Sequence, residues 1–214
     1  MLRLCMEDGA LDVLCVGAHP DDIEIGCGAT LAGLAARGDA NITVAVMTGS
    51  PHRVAESTGA LEELAPGVKT HFFGLPDGRL PVHWNEAKEH LEELARECRP
   101  QLILTHRVDD AHQDHRELGI LVTTVWRDAL VLRFEIPKWD GDLGAPTHYV
   151  PVSDADAHRK VEVLNRHFTS QHARDWWDDE LFLGMMRVRG MECRSRYAEA
   201  FFVTKAALDL GRRA

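Results

Sequence analysis

From Asp12 to Leu130 the chain alternates between two hydrophobic periods. Asp12 to Val16 is a short apolar run of the kind buried as a strand. After a polar stretch, Ala29 to Arg37 places Leu31, Leu34 and Ala35 on one helical face, with Gly38 as the stop. Asn41 to Met47 reads as a second strand. Ser50 then suits an N-cap, with Pro51 at the first helical position. That helix carries Val54, Ala60, Leu61 and Leu64 and stops near Pro66-Gly67. Val68 to Phe73 reads as a third strand, followed by the turn-rich segment Gly74 to Leu80. Asn85 to Cys98 is an amphipathic helix closed by Pro100, and Gln101 to Thr105 is a fourth strand. Leu118, Leu121, Val122, Val125, Trp126, Ala129 and Leu130 continue at helical spacing, behind a capping-box-like Asp114-x-x-Glu117.

Strand–helix alternation repeated four times predicts an α/β fold: a doubly wound, mostly parallel sheet with helices on both faces. From Arg133 the pattern changes. Phe134 to Ile136 and His148 to Val150 read as short strands around a breaker-rich loop, Pro137 to Pro146. Ser153 suits the cap of a helix bearing Ala157, Val161, Leu164 and Phe168. Asp175 to Val188 reads as a further helix and Glu199 to Thr204 as a final strand. The expectation is one domain over 1–214: a core at 1–132, and a small C-terminal elaboration at 133–214 that walls the substrate pocket.

The candidate chemistry sits where this pattern breaks. His19-Pro20-Asp21-Asp22 follows the first strand, and His112-Gln113-Asp114-His115 follows the fourth. In a sheet of order 3-2-1-4-5 those strands are neighbours at the switch point, so their C-terminal loops flank one crevice. Either cluster alone is weak, since His-x-x-Asp is common in polar turns. Two clusters brought to one crevice are much stronger. His19, Asp22 and His115 make a two-histidine, one-aspartate metal site, with positions open for water and substrate. That set suits Zn2+, while spacing leaves Fe2+, Mn2+ and Co2+ open. Asp21 is the candidate general base. His112, expected to be protonated, is the candidate electrophile for a developing oxyanion. Asp114 either caps its helix or orients His112.

Composition narrows the classes. The chain has 214 residues, 45% of them hydrophobic, enough for one sizeable core. No apolar run nears the roughly 20 residues of a membrane span. Met1 to Asp12 carries Arg3, Glu7 and Asp8 and does not read as a signal peptide, so the expected location is the cytoplasm. A net charge of −10 argues against nucleic acid and anionic membranes as partners. Five cysteines without a Cys-x-x-Cys spacing indicate neither a disulfide framework nor a thiolate metal site.

At these residues the chain resembles the PIG-L/LmbE-like family of metal-dependent N-deacetylases. Ala18-His19-Pro20-Asp21-Asp22 with Glu24 matches the family's first signature, and His112-Gln113-Asp114-His115 its second, with Gln113 where Pro is commoner. Arg53-x-x-Glu56, Leu75-Pro76-Asp77-Gly78, Ser170-Gln171 and Ala198-Glu199-Ala200-Phe201 are weaker matches in family order. The resemblance implies a Rossmann-like fold and a zinc-dependent hydrolase that removes an N-acetyl group from an N-acetylglucosamine-type conjugate. It implies one Zn2+ per chain and a homo-oligomer, since some bacterial members form hexamers. Arg53 is a candidate for sugar hydroxyls or phosphate, against a plain helix-start salt bridge with Glu56. An amidase acting on another N-acyl small molecule is the alternative, then a phosphoesterase, which usually needs two metals. A dinucleotide oxidoreductase is disfavoured: after Gly26-x-Gly28 the third glycine position is Leu31, and no acidic residue ends strand two.

Overall fold

The computed structural model describes residues 4, 6 and 9–208. Half of the stretch Met1 to Asp12, including Arg3, Glu7 and Asp8, lies outside them. Seven strands form one sheet: β1 Leu11–Gly17, β2 Ala40–Thr48, β3 Lys69–Leu75, β4 Leu102–Thr105, β5 Leu130–Phe134, β6 His148–Val152 and β7 Tyr197–Phe202. Their order is β3-β2-β1-β4-β5-β7-β6. The first five run parallel, and β7 and β6 add an antiparallel edge. The expected 3-2-1-4-5 core is therefore present, extended at one side by the C-terminal segment.

Six α-helices among the described residues cover the sheet: α1 Asp22–Ala36, α2 Pro51–Leu64, α3 Trp84–Glu97, α4 Gln113–Val125, α5 Asp154–His167 and α6 Asp179–Cys193. Alternate residues of β1 feed two cores. Val13 and Cys15 pack with α1, α2, α5 and α6, while Leu14 and Val16 pack with α3 and α4. Burial from both sides explains why β1 and β4 read as nearly unbroken apolar runs. Ser50 caps α2 and Ser153 caps α5, as their side chains dictate.

Several boundaries differ from the expectation. The apolar spacing that suggested a helix reaching Leu130 is misleading, because α4 ends at Val125 and Leu130 opens β5. A strand buried on both faces has no polar period to separate it from a helix. His112 caps α4 through Nδ1, so the expected Asp114–Glu117 capping box is absent. The last helix and strand are displaced to Asp179–Cys193 and Tyr197–Phe202.

Helix α1 starts seven residues earlier than expected, at Asp22, and breaks at Cys27, whose φ of −150° and ψ of 24° are not helical. The break is buttressed by a buried ion pair. Lys160 Nζ donates to the Ile25 carbonyl at 2.6 Å and pairs with Glu199 Oε1 at 2.6 Å. The Glu199 carboxylate accepts from Ala29 N at 3.0 Å and Thr30 N at 2.6 Å. It thus caps the restarted half of the helix, an acidic group at a helix N-terminus. Gly26 is required beside it, since a Cβ there would lie 2.5 Å from the Phe134 ring. Glu199→Ala would leave a buried ammonium and two amides unpaired. It is expected to cost about 3–5 kcal/mol, read as a lowered midpoint in chemical unfolding. A loss below about 1 kcal/mol would show that water replaces the carboxylate.

Candidate active site

The loop after β1 is tied to both neighbouring strands. Thr48 donates to the Ala18 carbonyl through N at 2.9 Å and Oγ1 at 2.8 Å. Thr105 Oγ1 donates to the Val16 carbonyl at 3.0 Å, and Ala18 N donates to His106 Nε2 at 2.9 Å. Gly49, at φ +125°, packs against Pro20 so closely that a Cβ would meet its ring at 2.5 Å. The loop bearing His19, Asp21 and Asp22 is therefore a rigid shelf at the C-terminal edge of the sheet.

On this shelf the expected metal ligands come together. His19 Nδ1 lies 3.1 Å from His115 Nε2 and 3.3 Å from Asp22 Oδ2, and His115 Nε2 lies 3.2 Å from Asp22 Oδ1. The edges of a tetrahedron with bonds of about 2.0–2.1 Å are about 3.3–3.4 Å, so the donor spacing suits a transition ion. Other donor groupings overlap this one: His19–His112–His115, Asp22–His106–His115 and His19–Asp77–Asp114. His106 is the weakest ligand among them, because its Nε2 already accepts the Ala18 amide proton.

The surrounding groups orient the trio. Asp22 Oδ2 accepts from His19 N at 2.7 Å and stands 3.1 Å from His106 Nε2. The His106 ring stacks on His115 at 4.0 Å and 15°. His115 Nδ1 stands 3.3 Å from Asp110 Oδ2, an ion-pair distance without hydrogen-bond alignment. Asp110 Oδ1 accepts from His112 N at 2.8 Å and lies 3.1 Å from Lys138 Nζ. His19 Nε2 faces Asp77 Oδ1 at 3.1 Å and Asp114 Oδ2 at 3.2 Å.

This geometry corrects the expected partnership of Asp114 with His112. The buried Asp114 carboxylate instead contacts His19 and accepts from Gly78 N at 2.8 Å and Leu80 N at 3.0 Å. It orients a metal-ligand candidate and pins the Asp77–Leu80 loop to the site. Asp114 hydrogen-bonds His112 through its backbone amide instead, 3.3 Å from His112 Nδ1.

Asp21 is not one of these clustered donors. Its φ of +116° is strained for a residue with a Cβ, by about 1–3 kcal/mol. Arg53 holds it there: one guanidinium nitrogen donates to Asp21 Oδ2 at 2.5 Å and to the Pro20 carbonyl, the other to Glu56 Oε2 at 2.9 Å and Ser170 Oγ at 3.2 Å. The helix-start pair with Glu56 thus exists within a wider brace whose principal cargo is Asp21.

Electrostatics separate the carboxylates. Burial pushes Asp21 up to about 7, with Arg53 opposing the rise. Burial works on Asp22 too, but His115, His106 and His19 overcome it and hold Asp22 well below the usual range. Burial opposes charge on His115 and His19 as well; attraction to Asp22 and to the other close carboxylates prevails, raising His115 to about 9 and His19 well above its ordinary value. Burial lowers His106 to about 4. Burial lowers His112 also, helped by repulsion from His115 and His19, so the expectation of a protonated His112 gives way to a neutral imidazole. Glu24 is raised by burial to about 8 and accepts from Ser57 Oγ at 2.5 Å, joining the shelf to α2.

Sequence reasoning missed His106, Asp110 and the contact of Asp77 with His19. Each had a positional signal: His106 is the first residue past β4, at the same sheet edge as His19, and Asp110 lies two residues before His112.

Residues 14–126 match the family model PIG-L, GlcNAc-PI de-N-acetylase. The 1D-myo-inositol 2-acetamido-2-deoxy-alpha-D-glucopyranoside deacetylase of Streptomyces griseus is 34% identical, over 48% of this chain and 44% of the relative. The chain spans 44% to 61% of the length of the curated relatives it matches. The N,N'-diacetylchitobiose deacetylase of Pyrococcus horikoshii superposes with a TM-score of 0.71 at 20% identity, covering 91% of this chain and 84% of that one. The 4-carboxy-2-hydroxymuconate hydratase of Pseudomonas putida superposes at 0.78 with 16% identity, covering 95% and 100%. The fold therefore hosts more than one reaction, and chemistry has to be argued from the site. With the matched region running through both His/Asp clusters, the chain belongs to the PIG-L family.

Proposed function

We propose that this chain is a zinc-dependent hydrolase that removes the N-acetyl group of an N-acetylglucosamine-type conjugate, giving acetate and a free amine. The observation that carries the reading is the division of labour between adjacent carboxylates. Asp22 is held ionised against the His19–His115 pair, while the neighbouring Asp21, raised to about 7, is held by Arg53. A carboxylate near 7 can both take and return a proton at neutral pH. The curated relative from Streptomyces acts on such a conjugate, and its similarity supports the substrate class.

His19, Asp22 and His115 would hold one zinc ion per chain. When bound, zinc supplies a water of lowered pKa and a Lewis acid for the amide carbonyl. The chain's own groups do the rest. Asp21 accepts the proton of the attacking water, and Arg53 fixes its carboxylate during that transfer. His112, neutral and half-buried, donates an N–H to the oxyanion of the tetrahedral carbon. Nδ1 of His112 already accepts the Asp114 amide, so Nε2 carries that proton. Asp21 then returns its proton to the departing nitrogen as the C–N bond breaks. His112→Ala is expected to lower kcat by roughly two to three orders of magnitude at unchanged metal content.

The test is acetate release from a panel of N-acetylglucosamine conjugates, with and without chelator. Chelator-sensitive release is the expected result. Metal-loaded protein that releases acetate from none of them, but another acid from a different N-acyl amine, would replace this reading with the broader amidase. No helix among the described residues is long and apolar enough to cross a membrane. A small-molecule substrate, a cytoplasmic location and assembly as a homo-oligomer complete the proposal.

A further inference from the structure

The breaker-rich loop after β5 and the segment joining α5 to α6 meet beside the site. β5 runs parallel to β4, so the loop leaves the same sheet edge as the His112–His115 segment. Lys138 fastens it to Asp110 at 3.1 Å, and Asp142 Oδ2 accepts from Ala111 N at 2.8 Å. The other segment is fastened on the opposite side of the site, where Ser170 contacts Arg53 at 3.2 Å and Glu56 at 2.7 Å. Between these anchors Trp139 bridges the two segments. Its Nε1–H donates to Asp175 Oδ1 at 3.1 Å, the Arg174 guanidinium lies 5.8 Å from its ring, and Trp176 meets it edge-on at 6.3 Å and 87°.

Trp139 is nonetheless 65% exposed, more than any other Phe, Tyr or Trp among the described residues. Leaving an indole in water forfeits hydrophobic stabilisation, and three contacts hold this one in place rather than turn it inward. Its neighbour in the chain reaches Asp110, which abuts His115. Its partner Asp175 lies five residues beyond Ser170, which braces Arg53 and Asp21. Trp139 thus joins the segment anchored at Asp110 to the segment anchored at Arg53, as the flat apolar element between them.

We infer that Trp139 is a stacking platform for a second ring of the substrate, so that the preferred substrates are two-ring conjugates in which the acetamido sugar is joined to another pyranose. The inference rests on the proposed deacetylase reading. Pyranose rings present an apolar C–H face to aromatic surfaces, and the hydroxyl-rich edge is served by the flanking Asp175 and Arg174.

The test compares binding of N-acetylglucosamine and N,N'-diacetylchitobiose to the zinc-loaded protein by calorimetry, alongside acetate release from both. The wild type is expected to bind the two-ring probe about tenfold tighter than the one-ring probe. Trp139→Ala should erase that gain without changing affinity for N-acetylglucosamine or metal content, and Trp139→Phe should keep most of it. A wild type that gains nothing from the second ring, or an alanine variant that keeps the gain, overturns the platform. Self-association of the wild type that Trp139→Ala abolishes, with no second-ring gain, would make this face a contact between copies instead. A second-ring gain in binding with no acetate released would leave the platform standing while the deacetylase reading fails.

Discussion

Asp21→Ala is expected to lower kcat by about three orders of magnitude while the protein keeps its metal. The two effects separate because Asp21 faces Arg53 and Asp22 faces the histidines. Alanine keeps the Cβ, so the strained positive φ at residue 21 is not relieved and the variant removes only the carboxylate. The more discriminating variant is Arg53→Gln. Arg53 favours the ionised form of Asp21, so its removal raises a carboxyl already near 7. A base acts only when ionised. The acid limb of the kcat profile should therefore begin near pH 7 in the wild type and move to higher pH in Arg53→Gln. Profiles with the same acid limb would remove Asp21 as the titrating base and return Arg53 to a purely substrate-facing role.

The second large effect concerns Asp22. Asp22→Asn keeps the shape of the shelf but removes the charge that draws His19 and His115 together. Metal affinity in a chelator competition should fall by more than the roughly 10- to 100-fold typical of losing an outer partner. Proton linkage gives an independent reading. His115 is raised to about 9, so it is protonated in the metal-free protein at pH 7 and must lose that proton to become a ligand. Metal affinity should weaken as pH falls below about 9, with at least one proton released per ion at pH 7. In Asp22→Asn the attraction raising His115 is gone, and proton release should diminish. For the metal-free protein the sign follows from the same shift: the His115 contribution to stability is full below 6.5 and lost as pH rises through about 9. Stability that stays flat from pH 6 to 10 after chelation would contradict the assigned partners of His115.

The alternation of short apolar runs with amphipathic stretches was enough to place β1 beside β4, and with them the two His/Asp clusters. The local chemistry of Ser50 and Ser153 placed two helix starts. What the sequence did not disclose has physical causes. The β5 boundary was lost because a central parallel strand is apolar on both faces. The α1 break was lost because the carboxylate that caps it, Glu199, lies 170 positions from Ala29. The same distance problem hid the roles of Asp114 and Arg53. Each sits in a local pattern with an obvious partner, a helix start or an i,i+3 glutamate. Tertiary packing then gives each a further one: His19 for Asp114, Asp21 for Arg53. His106 escaped because a lone histidine at a strand end has no motif, although its 0% exposure and its stack on His115 make it integral to the site.

The claim on which the rest depends is that His19, Asp22 and His115 hold one ion. Metal content per chain, measured on protein purified without added metal and again after saturation with zinc and gel filtration, tests it most directly. The account predicts about one zinc per chain in the wild type, about one in Asp21→Ala, and a small fraction in Asp22→Asn and His115→Ala. A wild type that retains no zinc after saturation, or a His115→Ala variant that retains a full equivalent, would contradict it.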